Sequence, residues 1–87
     1  MTPADALRDV QGFAQAGRIV ITTHARRRMK LRGASYEDVR HGLMTAIGCE
    51  VGNEPETWKV TSADLDGDPM TLAVAFDDGV VVITLYE

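Results

Sequence analysis

At 87 residues, 45% apolar and 25% charged, the chain is long enough for one folded core and too apolar to be disordered. No apolar run approaches the ~20 residues that cross a bilayer, and the opening residues lack the basic-then-apolar order of a secretion signal. The single Cys49 excludes an internal disulfide and has no cysteine partner for a metal site, so a cytoplasmic protein is expected, with Cys49 a small buried apolar residue. The net charge of −4 argues against loose nucleic-acid binding, which phosphate neutralisation drives. Residues 1–49 nevertheless hold eight basic side chains against four acids, and residues 50–87 only Lys59 against nine. A local basic patch on an acidic body suits a focused phosphate site.

Thr2-Pro3-Ala4-Asp5 opens a first helix: Thr2 caps, Pro3 suits the first helical position and Asp5 completes a capping box. Leu7, Val10, Phe13 and Ala14 form its apolar stripe and Gly17 stops it. Ile19–Thr22 is short and β-branched, a strand or an extended link. Thr22 or Thr23 then caps a second helix that ends at Gly33 and carries Arg26, Arg27, Arg28, Lys30 and Arg32. At helical spacing His24, Arg28 and Arg32 share one face, with Ala25 and Met29 on a more apolar stripe beside them. An imidazole one turn from a guanidinium suits phosphate chemistry, because Arg grips phosphate oxygens with a planar fork and His exchanges a proton near neutral pH. The bland alternative is a surface helix of solvated arginines. Ser35–Asp38 is a second capping box, opening a third helix whose core face is Tyr36, Val39, Leu43 and Ile47, with His41 off that stripe.

From Cys49 onward the period becomes strand-like. Cys49–Asn53 is a weak strand, and Glu54-Pro55-Glu56 a break. Along Thr57–Ser62, Trp58 and Val60 alternate with Thr57, Lys59 and Thr61. Asp64–Pro69 is a turn; it lacks the downstream spacing and closing Glu of a calcium loop, so neither metal nor cofactor is expected. Met70–Phe76 is a strand, Asp78-Gly79 a hairpin turn, and Val80–Tyr86 the central strand. Strict alternation along it pairs Thr84 and Tyr86 with Val80 and Val82 on one face, with Val81, Ile83 and Leu85 on the other. If the aliphatic row meets the helices, Thr84 and Tyr86 stand on an open face. Helices followed by strands predict a single α+β domain over 1–87, with the helices on one face of a curved, three- to four-stranded antiparallel sheet.

Three stretches together resemble a bacterial family, number four-two-five-eight of the domain-of-unknown-function series. They are Thr23-His24-Ala25 with Arg28-Met29 and Arg32-Gly33; Ser35 with Glu37-Asp38-Val39; and the closing Val82-Ile83-Thr84-Leu85-Tyr86. The likeness runs from about residue 18 to residue 86; the first motif is fairly specific, and Ala34 departs from it where members have Ile. The opening helix followed by Gly17-Arg18-Ile19-Val20 is also similar to the MqsR branch of the RelE-like toxins. The resemblance implies a RelE-like domain, a metal-independent ribonuclease and a cognate antitoxin. On residues matching the motif, it implies roles for His24, Arg28, Arg32 and Thr84. The acidic second half departs from the generally basic character of such toxins.

The chemistry is coherent. Metal-free RNA cleavage needs a base, a cation for the phosphate and an acid for the leaving oxygen. His24 serves as base or acid, Arg28 as clamp and Thr84 or Tyr86 as orienting hydroxyl, with Arg27, Arg32 and Lys59 along the RNA. Two other readings stay open. One is a non-catalytic protein-interaction domain whose acidic half meets a basic partner. The other is a helix-turn-helix DNA-binding regulator, in which Ser35–Ile47 would read bases although Glu37 and Asp38 would face phosphates.

Overall fold

Each helix begins where a hydroxyl caps it. In the computed structural model, which describes residues 1–86, Thr2, Thr22 and Ser35 cap α1 (Pro3–Gln15), α2 (Thr23–Arg32) and α3 (Tyr36–Met44). Asp5 and Asp38 reciprocate to complete both predicted capping boxes. Asp38 does more than cap, because its second oxygen accepts from the Leu65 amide at 3.1 Å and ties the start of α3 to a distant turn. The backbone amides of Ser35 and Leu65 hold its carboxyl below the ordinary value. A carboxyl whose folded pKa is depressed stabilises the fold above its unfolded pKa, and that stability is lost as pH falls through the folded value. Urea midpoints measured from pH 5 downward are therefore expected to fall more steeply for the wild type than for Asp38→Asn.

The strands are β1 (Ile19–Ile21), β2 (Gly48–Val51), β3 (Trp58–Ala63), β4 (Pro69–Phe76) and β5 (Val80–Tyr86), in the sheet order β1-β5-β4-β3-β2. The α+β class stands, but the sheet has five strands rather than three or four and is mixed rather than antiparallel. β1 runs parallel to β5, pairing Ile19 with Val80 and Ile21 with Val82. Three β-branched residues show no period, and the partner lies at the other end of the chain. Pairing the first strand with the last puts β5 inside the sheet between β1 and β4, with β4 rather than β5 in the middle position. At the β4–β5 connection, Asp78 and Gly79 take the positive φ angles 56° and 155°. A side chain at Gly79 would meet the Arg18 carbonyl at 2.7 Å, so only glycine lets β1 and β5 close there.

All three helices contribute to one core. Val10 and Ala14 of α1, Ala25 and Met29 of α2, and Val39 and Leu43 of α3 meet Val60, Leu72, Val74, Val80, Val82 and Leu85 of the sheet. Three sequence expectations fail at its margin. Tyr36 and Ile47 are 40% and 80% exposed, because α3 stops at Met44 and never carries Ile47 inward. Cys49 is half-buried near the sheet edge, where desolvation pushes its thiol pKa up. Gly42 allows α3 to lie close to the sheet: a Cβ there would sit 2.9 Å from Ser62 Oγ and 3.1 Å from the Ala63 carbonyl. Gly42→Ala is therefore expected to cost about 1–3 kcal/mol through overpacking, read as a lower urea midpoint with an unchanged slope.

The strict alternation expected along β5 is broken. Ala73 faces Thr84 and Val74 faces Val82, leaving Ile83 as an extra residue at a bulge. Before the bulge Val80 and Val82 are buried; after it Leu85 is buried instead. Thr84 and Tyr86 thus stand on the open face, although Val80 and Val82 do not share it.

Candidate active site on the α2–β5 seam

β1 covers only the first half of the β5 edge, and α2 takes over where β1 ends. The Thr22 amide donates to the Val82 carbonyl at 3.1 Å, and its hydroxyl to the Ile83 carbonyl at 3.0 Å. Six residues further along, Arg28 Nε donates to the Leu85 carbonyl at 3.2 Å. The edge of the last strand is thereby paired by side chains instead of a neighbouring strand.

The seam fixes how the helix faces the sheet. With Ala25 and Met29 buried, His24 emerges on the flank beside β5, and its Nε2 lies 3.0 Å from Thr84 Oγ1. Residues sixty apart in sequence meet because the bulge turns Thr84 outward. Tyr86, the next residue on that face, borders two hollows. One, of about 250 Å³, is bounded by Arg28, Leu31, Arg32 and Leu85. The other, of about 220 Å³, lies over the open face between β5 and the β2–β3 loop. Lys59 completes the group, with Nζ 5.6 Å from the centre of the Tyr86 ring.

His24, Thr84, Arg28, Tyr86 and Lys59 are thus gathered on one surface. The arginines are less available than their number suggests. Arg32 Nη2 donates to the Pro69 carbonyl at 2.7 Å and pairs with Asp64 at 3.3 Å, so it braces the β3–β4 turn. Arg28 is engaged along the β5 edge, and Lys59 stands 4.0 Å from Glu50. Arg27, one turn from His24, and Arg26 and Lys30 further round are exposed and form no ion pair among the described residues. The charge division along the chain does not survive folding, because acids of the second half pair with arginines of the first: Asp64 with Arg32 and Asp78 with Arg18.

No family model matches the chain, and no curated protein or solved structure matches it.

Sequence reasoning missed the residues that wall the second hollow. Asn53 and Thr57 are expected in the flanking strands and only Glu54 in a break, but β2 ends at Val51 and β3 begins at Trp58, so all three belong to one loop that borders Ala73 and Thr84. The available signal was a polar connection longer than a tight hairpin needs. The Asp64–Asp68 turn, by contrast, is what its composition suggested: Asp64 Oδ1 accepts from the amides of Asp66 and Asp68 at 3.0 and 2.9 Å. The carboxylates of Asp64, Asp66 and Asp68 lie within 4.8 Å of one another, and Asp64 also faces Arg32. Among the described residues, no helix is long and apolar enough to cross a membrane.

Proposed function

We propose that this protein is a toxin-like, metal-independent ribonuclease acting through the surface around His24. The observation that carries the reading is the 3.0 Å contact between His24 Nε2 and Thr84 Oγ1, beside a tyrosine flanked by two hollows. A hydroxyl bonded to one ring nitrogen orients the imidazole and, being both donor and acceptor, can pair with it in either tautomer. In the reaction, the RNA 2′-oxygen attacks the adjacent phosphorus and the bond to the 5′-oxygen breaks, leaving a 2′,3′-cyclic phosphate and a 5′-hydroxyl. His24 takes the 2′-proton, and the Tyr86 phenol or a water returns one to the leaving oxygen. Arg27, one turn from His24 and without an ion pair among the described residues, meets the phosphate, while Arg28 and Arg32 act chiefly by holding the seam and the neighbouring turn. Lys59 extends the positive surface across the sheet.

The convergence of the α2 motif with the last strand supports the reading, since His24 and Arg28 meet Thr84 and the Leu85 carbonyl along one seam. A RelE-like architecture and a cognate antitoxin belong to the same proposal, the antitoxin covering Arg26, Arg27 and Lys30. The competing reading, a non-catalytic interaction domain, is favoured by the structural engagement of Arg28 and Arg32. A DNA-binding regulator fits less well. α3 buries Val39, Gly42 and Leu43, and its Arg40 donates to the Ala14 and Gln15 carbonyls at 3.0 and 2.9 Å rather than reaching outward.

The test is purified protein with single-stranded RNA in EDTA, with and without ribosomes, alongside expression in a bacterial host. The expected result is cleavage to cyclic-phosphate ends and arrested growth. Failure of both would leave the interaction domain as the better reading.

A further inference from the structure

The hollow over the open face brings the polar residues Asn53, Glu54, Thr57 and Thr84 together beside Tyr86. Its floor is the sheet at Ala73, its walls are Asn53, Glu54 and Thr57 from the β2–β3 loop, and Tyr86 and Thr84 border it from β5. At about 220 Å³ it is smaller than the ~300–1,000 Å³ sites of drug-sized ligands and suits a single ring system. The loop is held in shape by its own bonds. The Gly52 amide donates to the Thr57 carbonyl at 2.8 Å, and the Thr57 hydroxyl to the Glu54 carbonyl at 2.6 Å. Gly52 permits that closure, since a Cβ there would run into Thr57. The side chains of Asn53 and Glu54 form no hydrogen bond or ion pair among the described residues, so their polar atoms remain for a ligand.

We infer that this hollow is the nucleobase subsite of the proposed ribonuclease and that it selects guanine; the inference rests on that catalytic reading. An ionised carboxylate only accepts hydrogen bonds. Guanine alone among the RNA bases presents two adjacent donors on its pairing edge, N1–H and the N2 amino group, matched to the two oxygens of Glu54. Adenine and cytosine set an acceptor beside their amino donor, and uracil flanks its N3–H with carbonyls. The Asn53 amide supplies a donor for guanine O6, and the Tyr86 ring a face for stacking. Thr84 borders the hollow and touches His24, so a seated base and a phosphate at His24 are neighbours, as parts of one nucleotide are.

The experiment is titration of the intact protein with guanosine, adenosine, uridine and cytidine 3′-monophosphates, read by amide NMR shifts, beside cleavage of RNAs differing in one base. The guanosine nucleotide is expected to bind roughly ten- to hundredfold more tightly than the others, the discrimination of one bidentate base contact. Its shifts should centre on Ala73, Thr84 and the 53–57 loop. Glu54→Gln is expected to remove that preference, while Tyr86→Leu weakens all four alike, with circular dichroism confirming both folds. Equal affinity for the four nucleotides, no binding, or shifts confined to other surfaces would overturn the inference. Cleavage without base preference would also overturn it and leave the ribonuclease standing. Guanosine-selective binding without cleavage would uphold the subsite and count against catalysis.

Discussion

His24→Ala is expected to slow RNA cleavage by about 10²–10⁴-fold, the usual contribution of a positioned acid or base, while leaving the domain folded. The side chain is exposed on α2, and among the described residues its partner is the Thr84 hydroxyl. Its removal therefore creates no cavity and strands no buried group, and alanine favours the helix. Thr84→Val keeps the β-branched shape but removes the hydroxyl, and should lower the rate less by freeing the imidazole to turn. Rates measured beside thermal melts decide the matter. A His24→Ala protein as active as the wild type would remove His24 from the chemistry. Arg28→Lys would be a poorer test, because an ammonium loses the fork and the bond that covers the β5 edge at Leu85. A loss of activity there would mix catalysis with folding.

Val82→Asp is expected to leave the chain unfolded at neutral pH. Val82 is completely buried and sits between Ile21 of β1 and Val74 of β4. Among the described residues no cation is buried in the core to meet a carboxylate placed there, and an unpaired buried charge costs several kcal/mol. That approaches the whole ~5–15 kcal/mol holding a small domain together. The neighbouring Val81→Thr, on the half-buried open side, is expected to stay folded. Far-ultraviolet circular dichroism separates the two outcomes. A folded Val82→Asp protein would mean that the faces of β5 are assigned wrongly.

Much of the fold was legible in the residues themselves because its causes are local. Thr2 and Ser35 with their reciprocal acids, Asp78-Gly79 with its positive φ, and the alternation around Val60 each act within a few positions. The pattern at His24 and Arg28 was legible for the same reason, since one turn of helix sets their spacing. The parallel union of β1 with β5 was not, because three residues carry no period and their partner lies some sixty positions away. The charge division was legible but misleading, because Arg18 and Arg32 find acids only through tertiary contacts. The composition of the α2 motif was thus determined by sequence alone, and its orientation by the core that buries Ala25 and Met29. The tertiary structure decided which hydroxyl it meets: the bulge at Ile83 shifts the side-chain phase by one residue and turns Thr84 toward His24.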